Sequence, residues 1–257
     1  MRHATERSTG ARSRRILVVE DNVINQKVAV ALLTQMGYGC DVATDGRQAL
    51  EFMDQRQYGA VLMDCQMPVM DGYEATLEIR RREVDTHTAI VAMTASAMAA
   101  DRERCLAVGM DDYLAKPIDR RLLASVLDQC VGQAADGPSP VPPPDEDPVD
   151  TEVLGQLRQL DGGQGLYDQL MEVFRREAVP RVPELRRAVA SGDLAATAAV
   201  AHLLKGSCST LGLRSLGSLL DRMECQARQG DPTELADEAA AVEIELARAL
   251  ERLDHLD

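Results

Sequence analysis

The first half of the chain alternates short apolar runs with amphipathic helical patterns. The apolar runs are rich in β-branched residues and predict strands at Ile16–Val19, Val42–Ala43, Ala60–Met63, Ile90–Ala92 and Tyr113–Ala115. Helical periodicity predicts a helix after each strand, at Val23–Met36, Gly46–Arg56, Tyr73–Arg82, Met98–Val108 and Asp119–Cys130. Strands that are apolar along their length and separated by crossover helices indicate a parallel sheet covered on both faces. We therefore expect a doubly wound α/β domain of five strands.

The second half of the chain shows only helical periodicity. Helices are predicted at Thr151–Leu160, Leu166–Val179, Glu184–Ala190, Leu194–Leu211, Arg214–Arg228 and Thr233–Leu256. Gly212 and Gly230 are expected helix stops, and Pro232 suits the first turn of the last helix. Pro180 and Pro183 should break or kink the second helical stretch. Short loops favour antiparallel neighbours, so we expect an antiparallel helical bundle.

A proline-rich acidic segment separates the two halves. Residues 133–150 contain six prolines, five acidic residues and almost nothing apolar. Proline stiffens such a segment toward polyproline II and like charges extend it, so we expect a semi-rigid linker. The predicted organisation is a basic flexible tail at 1–14, the α/β domain at 15–132, this linker, and the helical bundle at 151–257.

Composition narrows the classes of function. The net charge is −14 and only the short arginine-rich tail is basic, which argues against nucleic-acid binding. No window approaches the roughly 20 apolar residues of a membrane span, and the first residues lack the apolar core of a secretory signal. We therefore expect no membrane insertion and a cytoplasmic location. The six cysteines include no C-x-x-C pair, so reduced thiols are expected.

Ionisable or hydroxyl side chains follow four of the predicted strands. Glu20 and Asp21 come after the first strand, Asp64 after the third, Thr94 after the fourth and Lys116 after the fifth. Because the carboxyl ends of parallel strands meet at one edge of a sheet, we expect these side chains to converge. Three carboxylates repel one another unless a cation lies among them, and Mg²⁺ is the candidate because it prefers oxygen ligands. One acid alone would more simply cap a helix, but the set of five favours a binding site.

The segments that carry this cluster resemble the response regulator receiver domain, which has a flavodoxin-like fold. The matching segments are ILVVEDNVINQ, VLMDCQMPVMDG, IVAMTA and DDYLAKP. The resemblance implies that Asp64 accepts a phosphoryl group, and that Glu20, Asp21 and Asp64 bind Mg²⁺ together with the backbone carbonyl of Gln66. It covers nearly half of the chain.

The same resemblance implies roles for residues further along the chain. Thr94 would bind the phosphoryl group, Lys116 would pair with it, and Tyr113 would be the aromatic switch residue. Phosphorylation should act on Thr94 and reset Tyr113 and the fourth helix, because a local charge change biases a surface with two states. The bond between Lys116 and Pro117 matches a position where the family has a cis peptide.

His202 differs from the other three histidines in its surroundings. It lies mid-helix, just beside an apolar stripe formed by Ala201, Leu204, Cys208 and Leu211. Gly206 in the same helix costs about 1 kcal/mol relative to alanine, and room for an approaching protein surface beside His202 would explain its presence. Lys205, one turn on, can attract phosphoryl oxygens. A lone histidine on a helix is otherwise more often a surface residue or a satisfied core residue.

This stretch resembles the histidine phosphotransfer (HPt) domain, whose motif is H-x-L-K-G followed by a further glycine. The matching residues are His202, Leu204, Lys205, Gly206 and Gly212. The resemblance implies that His202 receives a phosphoryl group on an imidazole nitrogen, that Lys205 stabilises its charge, and that Gly206 gives clearance.

Together these features predict a phosphorelay intermediate. A partner histidine kinase would phosphorylate Asp64, and the group would pass through His202 to a downstream response regulator receiver. The sequence shows no glycine-rich ATP-binding segment, so a partner kinase is required. The domain pair also resembles the C-terminal part of hybrid sensor histidine kinases, of which the chain would then be a fragment or a stand-alone relative.

Three other interpretations stay open. Asp64 and His202 would serve different partners if Asp64 only regulates or drains the phosphate held at His202. The helical half would be a docking module if the protein is a phosphorylation-regulated adaptor. A Mg²⁺-dependent phosphatase with an aspartyl nucleophile is disfavoured, because Cys65 and Gln66 leave no nearby second acid to protonate a leaving group.

Overall fold

The computed structural model describes residues 15–84, 86–94, 99–131, 149–161 and 165–254. The predicted basic tail, nearly all of the predicted linker, and Met98 at the predicted start of the fourth helix lie outside these residues. Within this part of the chain, no helix is both long enough and apolar enough to cross a membrane.

Five strands form one parallel sheet in the order β2-β1-β3-β4-β5. Their bounds are β1 (Arg15–Val19), β2 (Gly39–Ala43), β3 (Ala60–Asp64), β4 (Ala89–Thr94) and β5 (Asp112–Ala115). Val19 of β1 is paired with Met63 of β3, and Thr94 of β4 with Ala115 of β5. The carboxyl ends of these strands therefore lie along one edge of the sheet.

Helices cover both faces of this sheet. They are α1 (Val23–Gln35), α2 (Gly46–Gln55), α3 (Gly72–Arg82), α4 (Ala99–Ala107) and α5 (Arg120–Val131). Successive residues of a strand point to opposite faces, so Ile16 packs in a core with Leu32 of α1 and Leu127 of α5. Its neighbour Leu17 packs in a second core with Ile79 of α3. The predicted doubly wound α/β fold is confirmed.

The second half of the chain is helical wherever the structure describes regular elements, as predicted. Its helices are α6 (Thr151–Asp161), α7 (Leu166–Ala190), α8 (Leu194–Thr210), α9 (Arg214–Gln229) and α10 (Leu235–Asp254). Helices α7 to α10 follow one another through short loops, and α10 packs against both α7 and α9. The last helix begins two residues later than predicted, so Pro232 lies before it and not in its first turn.

Pro180 and Pro183 lie inside one continuous helix, so the break that was one of the two predicted outcomes does not occur. The predicted helices Leu166–Val179 and Glu184–Ala190 are parts of the single helix α7. Each proline removes only one backbone donor, whereas the apolar face continues across both of them. The buried side chains of this face are Phe174, Ala178, Val182, Leu185 and Ala188. Packing of a continuous apolar stripe therefore outweighs the local cost of the prolines.

The two halves of the chain share one hydrophobic core. Helix α1 packs against α6, α7 and α8, and its buried Leu32 lies in the same cluster as Phe174 of α7 and Leu204 of α8. The side-chain amide of Gln35 donates to the carbonyl of Leu160 at 2.8 Å. Helix α1 is thus the surface on which the helical half is docked.

Candidate functional site

The acidic cluster lies at the carboxyl edge of the sheet, where the sequence predicts it. Glu20 follows β1, Asp64 ends β3, and both are almost fully buried. Lys116, which follows β5, places its Nζ 2.7 Å from Glu20 Oε2 and 2.7 Å from Asp64 Oδ2. The peptide bond between Lys116 and Pro117 is cis. The sheet therefore brings two acids and one buried cation into direct contact.

The loop after Asp64 returns very close to its own strand. A Cβ on Gly72, the first residue of α3, would lie 2.1 Å from the backbone oxygen of Asp64. Only glycine therefore allows α3 to begin at this point. Val69 in the same loop has φ of 71°, a conformation that strains a β-branched residue. The backbone around Asp64 is thus shaped by one obligatory glycine and one strained valine.

Burial and like charge make the acidic cluster unfavourable by itself. Burial raises the pKa of Glu20, and the charge of Asp64 adds to this, while Lys116 opposes both effects. Burial followed by the charge of Asp64 also raises the pKa of Asp21. Burial alone would lower the pKa of Lys116, but the charges of Asp64 and Glu20 outweigh burial and raise it. The cluster thus carries more negative charge than Lys116 alone offsets.

The donors in this cluster fit a small divalent cation. One carboxylate oxygen from each of Glu20, Asp21 and Asp64 lies within 4.8 Å of the others. Glu20 Oε2 is buried, with Nζ of Lys116 2.7 Å away. Oxygen donors of this kind, held close together, are what Mg²⁺ prefers.

Thr94 and Gln66 line the same cavity as the acids, but Tyr113 does not. The backbone N–H of Gln66 donates to Asp64 Oδ1 at 3.2 Å, and the buried Thr94 ends β4. Tyr113 is partly buried on β5, and the guanidinium of Arg102 lies 5.5 Å from its ring centre. The structure therefore brings together every predicted residue of the first half except Tyr113.

His202 faces this cavity from the second half of the chain. The cavity has a volume of about 230 Å³, and His202, Lys205 and Gly206 of α8 line it together with Asp64. The side chain of His202 is 17% exposed, so it is partly shielded by the docked halves but still open to the cavity. The two residues predicted to carry phosphoryl groups therefore share one cavity within one chain.

Glu224 of α9 organises the histidine and was not found by sequence reasoning. Its Oε1 lies 3.1 Å from Nδ1 of His202, and its Oε2 lies 2.6 Å from Nζ of Lys205. Burial alone would raise the pKa of Glu224, but hydrogen bonds and charge from His202 and Lys205 lower it to about 2. Glu224 lies on the same helical stripe as the buried Leu220 and Met223. An acidic residue on an apolar stripe is unusual, and this was the feature of the sequence that could have identified it.

An ionised Glu224 determines the tautomer of the imidazole. A carboxylate only accepts hydrogen bonds, so Nδ1 of His202 carries the proton and donates. The lone pair then lies on Nε2, the nitrogen that is able to act as a nucleophile. Lys205 also pairs with Asp221 at 3.0 Å, which holds its ammonium at the cavity.

Gly206 lies against the α/β half. A Cβ on Gly206 would lie 3.4 Å from Nδ2 of Asn25 and 3.6 Å from Nδ2 of Asn22. Those distances are ordinary contacts, so alanine would fit, whereas a longer side chain would displace both asparagines. The surface for which Gly206 leaves room is therefore the α/β half of the same chain.

Comparison with protein families matches both halves of the chain. The family described as response regulator receiver domain matches residues 16–128. The family described as Hpt domain matches residues 169–255. The first match contains the acidic cluster and the second contains the helix of His202.

Curated relatives match across nearly the whole chain. Sensor histidine kinase GacS of Pseudomonas protegens is 32% identical in an alignment 262 positions long, which covers 99% of this chain and 27% of the kinase. Signal transduction histidine-protein kinase BarA of Escherichia coli is 30% identical over 250 residues, covering 94% of this chain and 26% of the kinase. The chain thus spans about a quarter of the length of these relatives.

A solved structure also resembles the first half. It is the receiver domain of sensor histidine kinase PA1611 from Pseudomonas aeruginosa, which contains a magnesium ion in its active-site cleft. The two are 46% identical, and the match covers 47% of this chain and 99% of that one with a TM-score of 0.44.

Proposed function

Because the chain belongs to the two-component signalling proteins that join a response regulator receiver domain to an Hpt domain, we propose that it is a phosphorelay intermediate. A partner histidine kinase phosphorylates Asp64, the group passes to His202, and a downstream receiver takes it from there. The observation that carries this proposal is the cavity shared by Asp64 and His202. The receiver is assigned to 15–132, the linker to 133–150 and the Hpt bundle to 151–257, with a basic tail at 1–14.

Within the receiver, catalysis depends on positioning and charge. Asp64 is the phosphoacceptor, Lys116 neutralises the phosphoryl oxygens, and the hydroxyl of Thr94 contacts them. The carboxylates of Glu20, Asp21 and Asp64, with the carbonyl of Gln66, would hold Mg²⁺, which supplies further charge neutralisation when it is bound. Tyr113 lies away from the cavity, so its switching role requires a movement that begins at Thr94.

Transfer to the histidine is a substitution at phosphorus. The lone pair on Nε2 of His202 forms the new N–P bond while the bond between phosphorus and the Asp64 oxygen breaks, and the Asp64 carboxylate leaves. No proton has to move, because Glu224 keeps the Nδ1 proton in place and balances the charge of the imidazole ring. Lys205 attracts the phosphoryl oxygens during the transfer.

Docking of the two halves constrains the partners. The receiver covers the helix face that carries His202, so a downstream receiver is able to reach that residue only after the halves separate. The same separation opens Asp64 to the partner kinase. Both partners are therefore expected to bind a half of the chain that has separated from the other half. No binding to nucleic acid or insertion into a membrane is proposed.

The test uses the full-length chain, Mg²⁺ and radiolabelled acetyl phosphate. The label should appear first in a base-labile bond at Asp64 and then in a base-stable, acid-labile bond at His202. Asp64→Asn should abolish both signals, whereas His202→Gln should remove only the second. Mixing the two single variants then measures transfer between chains, which depends on concentration, whereas transfer within one chain does not. Label that never leaves Asp64 in the wild-type chain would contradict the relay and favour separate partners.

A further inference from the structure

Two asparagines at the start of helix α1 make buried polar contacts with helix α8. The side-chain amide of Asn22 donates to the carbonyl of Leu203 at 3.1 Å and to the hydroxyl of Ser207 at 2.8 Å. The hydroxyl of Thr210 donates to Oδ1 of Asn25. Asn22, Asn25, Ser207 and Thr210 are each less than a tenth exposed. We call these four residues the asparagine clamp.

The clamp is also joined to the acidic cluster. Nδ2 of Asn25 donates to Glu20 Oε1 at 2.9 Å, and the backbone N–H of Asn22 lies 3.3 Å from the same oxygen. Oδ1 of Asn22 caps helix α1 by accepting from the backbone of Ile24 and Asn25. The asparagine side chains are therefore fixed by the receiver on one side and by helix α8 on the other.

We infer that the asparagine clamp recognises the chain's own Hpt helix and sets the register in which His202 meets Asp64. This inference rests on the relay proposed above. His202, Gly206 and Thr210 are spaced by four residues along α8, and Ser207 follows Gly206. Hydrogen bonds at Ser207 and Thr210 therefore fix the position of this helix, and with it that of His202, on the receiver. The clamp residues are assigned as positioning and specificity residues, because their side chains hold helix α8 to the receiver.

Selectivity follows from burial. An unpaired buried donor or acceptor is costly, so a histidine helix without a hydroxyl matching Thr210 would leave Oδ1 of Asn25 without its partner on α8. A helix without a hydroxyl matching Ser207 would leave Asn22 with the backbone carbonyl as its partner on α8. Such a helix would dock less well on this receiver than the helix of the same chain does. The apolar contacts of α1 supply affinity, and the clamp distinguishes one helix from another.

The clamp is tested in the full-length chain with Ser207→Ala, Thr210→Val and the double variant. Each change lies outside the receiver, so labelling of Asp64 by acetyl phosphate provides the internal reference. The rate at which label moves to His202 should fall by about tenfold for each lost hydrogen bond. Ser209→Ala is the matched control, because Ser209 lies on the same helix and is absent from the clamp; its rate should equal that of the wild type.

A second set of variants separates positioning from a general loss of structure. Asn22→Ser keeps a residue able to cap α1 but does not reach Ser207. Combined with Ser207→Ala, it should slow transfer no more than Asn22→Ser alone, because the hydrogen bond to Ser207 is already lost in that variant. Additive losses, or a Ser207→Ala and Thr210→Val double variant within twofold of the wild-type rate, would overturn the inference.

Hydrogen exchange of helix α1 distinguishes failure of the clamp from failure of the relay. Release of the Hpt half should increase exchange in α1 of the Ser207→Ala and Thr210→Val double variant, and Ser209→Ala should not change it. If the wild type does not transfer label but the double variant releases α1, the relay is refuted while recognition by the clamp stands. Unchanged exchange in the double variant would refute the clamp whether or not the wild type transfers label.

Discussion

Glu224 holds His202 from a neighbouring helix, with its Oε1 3.1 Å from the imidazole Nδ1. The same carboxylate pairs with Lys205 at 2.6 Å and with Arg228 at 2.7 Å. One buried acid thus orients the proposed nucleophile and anchors the lysine beside it.

Replacing Glu224 should slow the transfer of label to His202. Glu224→Ala leaves Nδ1 without its acceptor and should lower the rate by about tenfold or more. Glu224→Gln still offers an oxygen to the Nδ1 proton, so its loss should be smaller. Nitrogen NMR should show the Nδ1–H tautomer in the wild type and a mixture of tautomers in the alanine variant. Equal rates in all three proteins would contradict a positioning role for Glu224.

Glu224 should also make the stability of the bundle depend on pH in the acidic range. Its pKa is about 2 in the folded chain, below the ordinary value of 4.5, so its ionised form stabilises the fold above about pH 4.5. That stabilisation, roughly 3 kcal/mol at most by linkage, is lost as the pH falls toward 2. The urea unfolding free energies of the wild type and of Glu224→Gln should therefore converge between pH 5 and pH 2. A constant difference in unfolding free energy across this range would mean that the contacts of Glu224 do not lower its pKa in the folded chain.

Side-chain size at Gly206 should control docking. Gly206→Ala adds a Cβ at ordinary contact distance from Asn25, so transfer should stay near the wild-type rate, while helix propensity improves. Gly206→Leu should displace the receiver and reduce transfer by at least tenfold. Circular dichroism checks that the bundle remains folded in both variants. Transfer at the wild-type rate in Gly206→Leu would refute the clearance argument.

Removing charge from the acidic cluster should stabilise the metal-free protein. Burial, and then repulsion from Asp64, raises the pKa of Asp21, so Asp21→Asn should increase the free energy of unfolding when Mg²⁺ is chelated. Adding Mg²⁺ should stabilise the wild type strongly and this variant weakly. Denaturant titrations with and without chelator measure both effects. An equal response to Mg²⁺ in the two proteins would exclude Asp21 as a ligand.

Replacing the strained loop residue Val69 with glycine should stabilise the protein. Val69 has φ of 71° and its side chain is largely exposed, so Val69→Gly relieves strain without losing packing. Allowing for the entropy of glycine in the unfolded chain, stability should rise by roughly 0.5 to 1 kcal/mol. Val84→Gly is the matched control, because Val84 is also exposed but has no positive φ, and it should be neutral or destabilising. A destabilised Val69→Gly variant would show that the valine contributes something other than strain.

Strand and helix periodicity predicted the fold well where packing is repetitive. Strand β2 was predicted as Val42–Ala43 but spans Gly39–Ala43, because this edge strand is only half-buried and carries Asp41. Asp41 is held there by Arg15 at 2.6 Å and Arg56 at 2.9 Å, contacts that no local pattern reveals. Helix α7 was wrongly divided because proline acts locally and its packed face does not.

The convergence of the predicted site residues could be predicted from the sequence. Strand order and direction bring Glu20, Asp64 and Lys116 to one edge of the sheet. Their positions directly after predicted strands were therefore sufficient to predict that they cluster. Glu224 and the asparagine clamp depend instead on how separate helices meet. Asn22 and Ser207 are 185 residues apart in the chain, and nothing in the sequence near either one indicates the other.

The covered face of helix α8 has a consequence for the timing of signalling. Only one receiver is able to occupy that face, and the receiver of the same chain is always nearby because the two are covalently joined. In the proposed relay, a phosphoryl group on His202 is therefore able to transfer back to Asp64 until the two halves separate. In the proposed relay, separation of the docked halves is then a required step before the phosphoryl group leaves the chain, so a weaker contact at α1 should shorten the time that the group is held.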